Sequence, residues 1–270
     1  MDGGVCAAAG FTAGGVIAGI KAGNTTKRDL AMIYCAERCR AAALYTTNKV
    51  KGAPIYVTKK HLEDGYAQAV IVNSGNANTC NENGIEIAEQ MCELTAQALD
   101  IDANDVLVGS TGVIGQPLSI KPIKARIPTL AKELSAKKSS EACEAIMTTD
   151  TRKKELAVEF EIEGRKCHVG GISKGSGMIA PNMATMLGFI TTDVAICHEL
   201  LEKALRKVNA LTYSMVSVDG DTSTNDTLIL MSSGLARNPE IICEDKNYEK
   251  FENALYAVMM NLARETARDG

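Results

Sequence analysis

The positions of apolar and polar residues along the chain predict a mixture of strands and helices. Apolar side chains occupy every second position over 156–162, with two glutamates and an alanine between them, which is typical of a half-buried strand. Gly164 and Arg165 predict a turn into a second strand over 167–172. Shorter apolar runs predict further strands at 30–34, 42–45, 55–57, 69–72, 106–108 and 186–191.

A helical period of 3.6 residues appears in other parts of the chain. Its clearest case is 84–99, where apolar residues recur at the spacing of one helical face. The same spacing predicts helices at 119–135, 139–147, 198–209 and 248–266. Strands and helices are interleaved without a repeat or a low-complexity linker, so the fold class is α/β or α+β in packed layers. We expect no domain boundary before about residue 193.

Composition narrows the class of protein. The chain has 270 residues, of which 46% are hydrophobic and 23% charged, and its formal net charge is -4. This mild acidity gives no electrostatic reason to bind nucleic acid or an anionic membrane. The one candidate targeting segment, 5–20, lacks a basic start, and no stretch supplies the ~20 apolar residues that span a bilayer. We therefore expect a soluble, cytoplasmic protein.

Nine cysteines are scattered along the chain, an odd number without the density of a secreted disulfide scaffold. We expect reduced thiols that are mostly buried. Cys35 and Cys39 form the one close pair, and no second pair completes a zinc site at the usual spacing. The sequence implies neither a metal nor an organic cofactor.

The segment 174–187 carries the strongest candidate chemistry. It joins Lys174, two glycines and a Pro-Asn turn to Thr185, which begins an apolar run. A threonine hydroxyl is a weak nucleophile until a base activates it, and no histidine lies within eleven residues of Thr185. Self-cleavage before Thr185 is one solution, because its freed α-amine, with a pKa of ~7.7–8.0, can act as the base. From this pattern alone, an ordinary structural threonine remains the simpler interpretation.

Two loops are further candidates. The glycine-rich segment 108–115 follows a predicted strand, where backbone N–H groups can converge on an oxyanion or a phosphate. A plain glycine turn is the simpler interpretation, and the P-loop pattern is absent. The segment 219–226 superficially resembles a calcium loop without the EF-hand spacing, which favours a polar turn that lines a site.

The three histidines are expected to be structural. His61 is placed on a surface helix, His168 in a hairpin strand and His198 at the start of a helix. Their positions fit neither a zinc site nor a catalytic triad.

The segment 181–187, with the sequence PNMATML, is similar to the self-cleavage site of the ornithine acetyltransferase family, also called the glutamate N-acetyltransferases. Other similar segments follow the same order along the chain, at 14–21, 45–50, 73–78, 110–115, 147–151 and 219–227. The resemblance therefore covers essentially the whole chain. It implies a layered α/β (α+β) sandwich of the self-processing, N-terminal-nucleophile type.

The same resemblance implies cleavage between Ala184 and Thr185. The products would be an α chain of residues 1–184 and the first part of a β chain, residues 185–270. Thr185 would then take an acetyl group from N-acetyl-L-ornithine and pass it to L-glutamate, a ping-pong transfer that belongs to arginine biosynthesis.

Further roles follow from the resemblance alone. Thr111 and Gly112 would form the oxyanion hole, and Thr148 and Lys174 would bind substrate together with Thr185. Family members assemble as α/β heterotetramers, and some also use acetyl-CoA, which no residue of this chain decides. They continue beyond the position of Gly270, where a substrate-binding glutamate is expected to follow directly, so the chain resembles a truncated member.

Two alternatives compete with this interpretation. A self-processing amidase or aminopeptidase of similar fold would hydrolyse its acyl-enzyme, whereas a transferase passes the acyl group to an amine. An unprocessed fragment would have no activity and at most bind a ligand or a partner chain.

Overall fold

The computed structural model of the protein describes residues 2–180 and 186–270. The strands within them are β1 (Phe11–Val16), β2 (Leu30–Tyr45), β3 (Tyr66–Asn73), β4 (Val106–Ser110), β5 (Lys154–Ile162), β6 (Arg165–Lys174), β7 (Leu187–Thr192) and β8 (Thr227–Ser232). The helices are α1 (Ala53–His61), α2 (Gly84–Leu99), α3 (Ile120–Glu133), α4 (Ser139–Ile146), α5 (His198–Ala210) and α6 (Lys246–Asp269).

The strands form one mixed sheet in the order β4-β3-β2-β8-β7-β6-β5, and β1 pairs with β2 outside this order. The long strand β2 connects the two halves of the sheet. Its first half pairs with β1 and β3, its second half pairs with β8, and its register against β3 shifts between Tyr34 and Cys39. A register shift of this kind bends a strand and increases its twist.

The two halves of the sheet pack face to face. An added Cβ on Gly109 of β4 would lie 3.6 Å from the ring of Phe189 in β7, although these strands would be about 19 Å apart in a flat sheet. A shared apolar core fills the space between the halves. Helices α2 and α3 cover the outer face of the β1–β4 half, and α5 and α6 cover that of the other half. The predicted layered sandwich is confirmed.

Helix α2 shows why the periodic segments were predictable. Its bounds coincide with the predicted 84–99, and its buried positions repeat at helical spacing along one face. Helix α6 is also close to its prediction, and the Asp245 side chain begins it by accepting hydrogen bonds from the amides of Asn247 and Tyr248. In both helices, the residues that recur at helical spacing in the sequence are also the residues that pack into the apolar core.

Two of the sequence predictions are wrong. The strand predicted at 55–57 is part of α1, which begins with Pro54 in its first turn. A short apolar run fits a buried helix as well as a strand, and proline favours the first turn of a helix. His61 is not on the surface: it is 4% exposed, with Nδ1 2.8 Å from the Val106 carbonyl and Nε2 3.1 Å from Glu89.

Strands β1 and β8 were not predicted. Strand β1 lies inside the glycine-rich segment that had been considered as a targeting signal, where glycines obscure the strand pattern. Five of the nine cysteines are buried, in agreement with the expectation of mostly buried thiols. Across residues 2–180 and 186–270, none of the helices combines the length and apolarity needed to cross a bilayer.

Candidate active site

Strand pairing brings Lys174, at the end of β6, next to the segment predicted to be cleaved. Lys174 ends β6 and pairs with Leu187, which begins β7. Leu187 pairs with Thr227 at the start of β8, and Thr227 pairs with Tyr45 at the end of β2. Lys174 is therefore one strand away from the residue that lies two positions after Thr185. The predicted nucleophile Thr185 and its neighbour Ala184 lie outside the described residues.

The loop 219–227 holds the chain on both sides of this segment. The Asp219 carboxylate accepts hydrogen bonds from the amides of Met178 and Ile179, at 2.6 and 2.9 Å. On the other side, Asp226 Oδ1 accepts the Met186 amide at 3.1 Å, and the Thr227 amide donates to the Met186 carbonyl. Two carboxylates of one loop thus fix the main chain before and after 181–185.

The predicted oxyanion loop follows β4. Gly112 has φ +127°, and a side chain there would meet the Asn76 amide at 2.8 Å, so the position requires glycine. The Thr111 amide donates to the Asn73 carbonyl and is not available to a substrate. The Thr111 hydroxyl and the Gly112 amide have no hydrogen-bond partner among the described residues. These two groups are the donors that the loop can offer to an oxyanion.

Asn225 joins the predicted oxyanion loop, residues 108–115, to the loop 219–227, which holds Met186. Its Nδ2 donates to the carbonyls of Ala77 and Ser110, at 2.6 and 2.9 Å, and its Oδ1 accepts the Thr79 hydroxyl at 2.6 Å. Because Ser110 directly precedes Thr111, this buried amide links the oxyanion loop to the residue before Asp226. Residues more than a hundred positions apart are therefore held in one constellation.

A cavity of about 870 Å³ opens beside the oxyanion loop. Gly112 and Thr148 both line it, whereas Thr111 and Lys174 do not. The Lys27 side chain also lines the cavity and donates to the Thr148 carbonyl at 2.8 Å. Its remaining wall comes from Ile20, Lys21, Ala22, Gly23, Asn24, Asp29, Ser74, Gly75, Asn76, Val113, Gln116, Pro117, Met147 and Thr149. The cavity is large enough for an amino-acid substrate.

Asp150 organises the predicted substrate-binding residues. Its Oδ2 accepts the Thr148 amide at 3.0 Å and lies 4.0 Å from Lys174 Nζ. Its Oδ1 accepts the Gly175 amide at 2.6 Å and the Lys154 ammonium at 2.8 Å. The side chains of Asp150 and Lys154 are 0% exposed. Thr148 and Lys174 are thus held by one buried carboxylate.

Burial and charge shift the pKa values of this group. Burial lowers the pKa of Lys174, and the negative charge of Asp150 opposes that shift. Burial alone would raise the pKa of Asp150, but the charge of Lys174 and the hydrogen bonds from Lys154 and Gly175 hold it below its usual value. Lys154 also contacts Asp269 at 2.6 Å, which connects the group to the end of α6.

The pKa of Asp226 is shifted in the opposite direction from that of Asp150. Burial raises the pKa of Asp226 to about 7, and the Ser223 side chain, the Met186 amide and the Lys174 charge offset only part of the effect. Its Oδ2 is buried without a hydrogen-bond partner in the described structure. A carboxyl group with this pKa exists in both protonation states near neutral pH, which suits proton transfer.

Sequence reasoning missed Asp150, Lys154, Asn225 and Asp226 as individual site residues. The segment 147–151 had been identified only as a block similar to a family, and 219–226 had also been predicted as a polar turn that lines a site. No local pattern marks Lys154, which begins a strand, as a buried cation. The prediction that 219–226 lines a site is consistent with its hydrogen bonds to Met178, Ile179 and Met186.

Comparison with known proteins identifies relatives along the whole chain. Residues 12–270 match the ArgJ family. The arginine biosynthesis bifunctional protein ArgJ of Symbiobacterium thermophilum is 48% identical over 271 residues, which cover 100% of this chain and 67% of that protein. The protein of the same name from Dehalococcoides mccartyi is 44% identical, with 100% of this chain and 66% of that protein covered. The chain thus spans about two thirds of the length of these curated relatives.

Solved structures show the same relationship. The arginine biosynthesis bifunctional protein ArgJ of Bacillus halodurans is 39% identical with a TM-score of 0.62, over 67% of this chain and 94% of the solved one. The ornithine acetyltransferase of Mycobacterium tuberculosis, solved with ornithine, is 38% identical with a TM-score of 0.61, over 66% of this chain and 95% of the solved one.

A more distant structure shares the fold. The L-aminopeptidase D-Ala-esterase/amidase of Ochrobactrum anthropi, described as a variant of the Ntn hydrolase fold, has a TM-score of 0.57 and covers 97% of this chain. It is 10% identical. This likeness supports the N-terminal-nucleophile type of sandwich and carries no information on activity.

Proposed function

Because the chain belongs to the ArgJ family, whose members are acetyltransferases, we propose that it is the self-processing part of a glutamate N-acetyltransferase. The enzyme moves acetyl from N-acetyl-L-ornithine to L-glutamate. The Thr185 hydroxyl attacks the Ala184 carbonyl, and water hydrolyses the resulting ester. The freed Thr185 carries the acetyl group as an ester between the donor and the acceptor.

The observation that carries this proposal is the arrangement around Met186. The residue that follows Thr185 is held by Asp226, and Asn225 ties the same loop to the carbonyl of Ser110, next to Thr111. These contacts support the proposal, because they connect the residue after the proposed nucleophile to the loop that carries Thr111 and Gly112. Acyl transfer needs a nucleophile and oxyanion donors in one site.

The remaining residues divide between the reacting carbonyl and the substrate. The Gly112 amide and the Thr111 hydroxyl donate to the oxyanion, where one donor contributes ~3–4 kcal/mol to a transition state. Lys174, a buried cation, attracts a substrate carboxylate, and Thr148 lines the cavity that receives the substrate. Asp150 positions both of them.

Cleavage into two chains has support from the solved relatives. About two thirds of this chain matches almost the whole of each solved ArgJ-family chain, from B. halodurans and from M. tuberculosis. Residues 1–184 make up the same share of this chain. Separate α and β chains account for these lengths. In this proposal they assemble as a heterotetramer in the cytoplasm.

Intact mass and an acetyl-transfer assay test the proposal. Denatured wild-type protein should give two fragments that meet between Ala184 and Thr185, whereas Thr185→Ala should give one. With N-acetylornithine, release of more than one equivalent of ornithine per enzyme should require glutamate, because the acetyl-enzyme must pass its acetyl group to an acceptor before the next turnover. Two fragments from Thr185→Ala would refute the nucleophile.

The same assay separates the alternatives. Release of ornithine over many turnovers without glutamate would identify an amidase, and an intact wild-type chain without transfer would identify an inactive fragment. Formation of N-acetylglutamate from acetyl-CoA and glutamate would establish the second acetyl donor.

A further inference from the structure

The loop between β1 and β2 brings charged side chains to the cavity beside the predicted oxyanion loop. Lys21, Lys27 and Asp29 are the charged residues of the cavity wall. Neither lysine forms a salt bridge with a carboxylate that the structure describes. Gly112 and Thr148 line the same cavity, so these cations lie around the space that the substrate is proposed to occupy.

The Asp29 carboxylate holds the loop in place and leaves no oxygen free for a ligand. Its Oδ1 accepts the amides of Ala18 and Gly19 at 2.6 and 3.2 Å. Its Oδ2 accepts the Ile20 amide at 2.7 Å and Asn24 Nδ2 at 2.8 Å, and the residue is 3% exposed. Four donors already satisfy this buried carboxylate. The cavity wall is therefore left with a net positive charge, which favours an anionic ligand.

Lys27 contacts the predicted substrate-binding residue Thr148. Its Nζ donates to the Thr148 carbonyl at 2.8 Å, which uses one of the three protons of the ammonium group. The Thr148 amide donates to Asp150 Oδ2, which lies 4.0 Å from Lys174 Nζ. A single residue thus contacts Lys27 through its carbonyl and the carboxylate beside Lys174 through its amide.

The two lysines are close enough for their charges to interact. Burial is the main cause of the lowered pKa of Lys174, and the charge of Lys27 contributes in the same direction. Two positive charges repel each other, and a ligand that brings one carboxylate to each of them relieves that repulsion. The arrangement therefore favours a ligand with two carboxylates over a ligand with one.

We propose that Lys27 binds the side-chain carboxylate of the acetyl acceptor L-glutamate and so selects a dicarboxylate acceptor. This inference rests on the proposed function, in which Lys174 attracts one substrate carboxylate. Lys27 is exposed on the cavity wall, and its flexible stem can carry the ammonium from the Thr148 carbonyl to a ligand. The donor N-acetyl-L-ornithine has a side-chain ammonium, which gains nothing from Lys27.

Binding of glutamate and glutamine tests the inference, because these ligands have the same shape and differ in the charge of the side chain. Isothermal titration calorimetry of the wild-type chain should show tighter binding of glutamate. In Lys27→Gln, the affinity for glutamate should fall by roughly tenfold, the effect of losing a charge-assisted hydrogen bond. The affinity for glutamine should change little, because the new side chain can still donate to the Thr148 carbonyl.

Three further variants sharpen the test. Lys27→Arg keeps the cation and should keep the preference for glutamate, whereas Lys27→Glu should bind glutamate more weakly than glutamine, because like charges repel. Lys203→Gln is the matched control, since it removes an exposed lysine of α5 that pairs with Glu244. It should bind both ligands as the wild type does. Circular dichroism establishes that each variant is folded.

The transfer assay supplies a second measurement. Lys27→Gln should raise the KM for glutamate by about the same factor and lower kcat by less, because an interaction that only binds the acceptor contributes equally to the ground state and the transition state. A fall in kcat without a rise in KM would contradict a role in binding the acceptor.

The outcomes separate this inference from the proposed function. A Lys27→Gln chain that transfers acetyl and keeps the wild-type preference for glutamate overturns the role of Lys27 and leaves the proposed function intact. Equal weakening of glutamate and glutamine also overturns it, because Lys27 would then only support Thr148. A wild-type chain that prefers glutamate and loses this preference in Lys27→Gln, but transfers no acetyl, removes the proposed function and retains the carboxylate site. A wild-type chain that does not bind glutamate removes the inference.

Discussion

Asp150 and Asp226 are two buried carboxylates near the same lysine, yet their environments oppose each other. Asp150 accepts two backbone amides and the Lys154 ammonium, and its pKa lies below its usual value. Asp226 accepts one amide, keeps a free oxygen, and has a pKa raised to about 7. Burial pushes both values upward, so the influence of the Lys174 charge and the number of hydrogen-bond donors decide the outcome.

The difference indicates different roles for the two carboxylates. A carboxylate with all its partners stays ionised and fixes the positions of Thr148, Gly175 and Lys174. A carboxylate with one partner can change its protonation state without breaking a network. The first therefore supports the predicted substrate-binding residues Thr148 and Lys174, and the second holds Met186, which follows the predicted cleavage segment. Four substitutions test this comparison, each made in a Thr185→Ala chain so that processing does not intervene.

Asp150→Ala should have the largest effect on stability. It leaves Lys154 with Asp269 alone and removes the carboxylate nearest to Lys174. Breaking a buried ion pair by removing one partner costs about 3–5 kcal/mol. Urea denaturation should show this loss in the free energy of unfolding. A loss below about 1 kcal/mol would mean that water or rearrangement satisfies both lysines.

Asp226→Asn should instead stabilise the protein above neutral pH. The folded-state pKa of about 7 exceeds the unfolded value, so the folded protein retains its proton longer. The stability that this proton provides is present at low pH and is lost as pH rises through about 7. Removing the charge should gain on the order of 2–4 kcal/mol at pH 8 and little near pH 4.

Thermal unfolding at several pH values measures this difference. Asp226→Asn and its parent should have similar Tm values in acid and diverge as the pH increases. A variant that is destabilised equally at every pH would show that the carboxylate is needed for structure in its ionised form.

Lys174→Met should raise the pKa values of both carboxylates. The positive charge of Lys174 lowers the pKa of both Asp150 and Asp226, so its loss raises both. The fall in stability attributed to Asp226 should then occur at higher pH than in the parent. We expect this shift to be smaller than the effect of Asp226→Asn, because burial is the dominant cause. If the midpoint of this fall in stability with pH does not change, the charge of Lys174 does not influence the pKa of Asp226.

Asp219→Asn should have the smallest effect. Its carboxylate is exposed, and hydrogen bonds from the Met178 and Ile179 amides hold its pKa below its usual value. An asparagine can accept the same hydrogen bonds. The Tm should fall slightly and only above the pKa of the carboxylate, where the charged acceptor is present. A loss as large as that of Asp150→Ala would place this loop among the main supports of the fold.

The sequence was most informative where local pattern and packing agree. Helix α2 and strand β5 were predictable because their apolar positions follow one period throughout, and the turn at Gly164 and Arg165 indicated β6. The run at 55–57 was too short to distinguish strand from helix, and its α1 structure depends on packing against β4 and α2. Strand β1 contains two glycines, whose missing side chains leave no pattern to detect.

The candidate site divides in the same way. The sequence by itself identified the segments with unusual chemistry and the family they resemble, because these depend on residue order. It could not determine that the pKa values of Asp150 and Asp226 are shifted in opposite directions. That difference depends on which donors reach each carboxylate, and Lys174 and Met186 are brought to them from distant positions by the sheet. Only the tertiary structure sets the burial and the partners of a charge, and these decide its protonation.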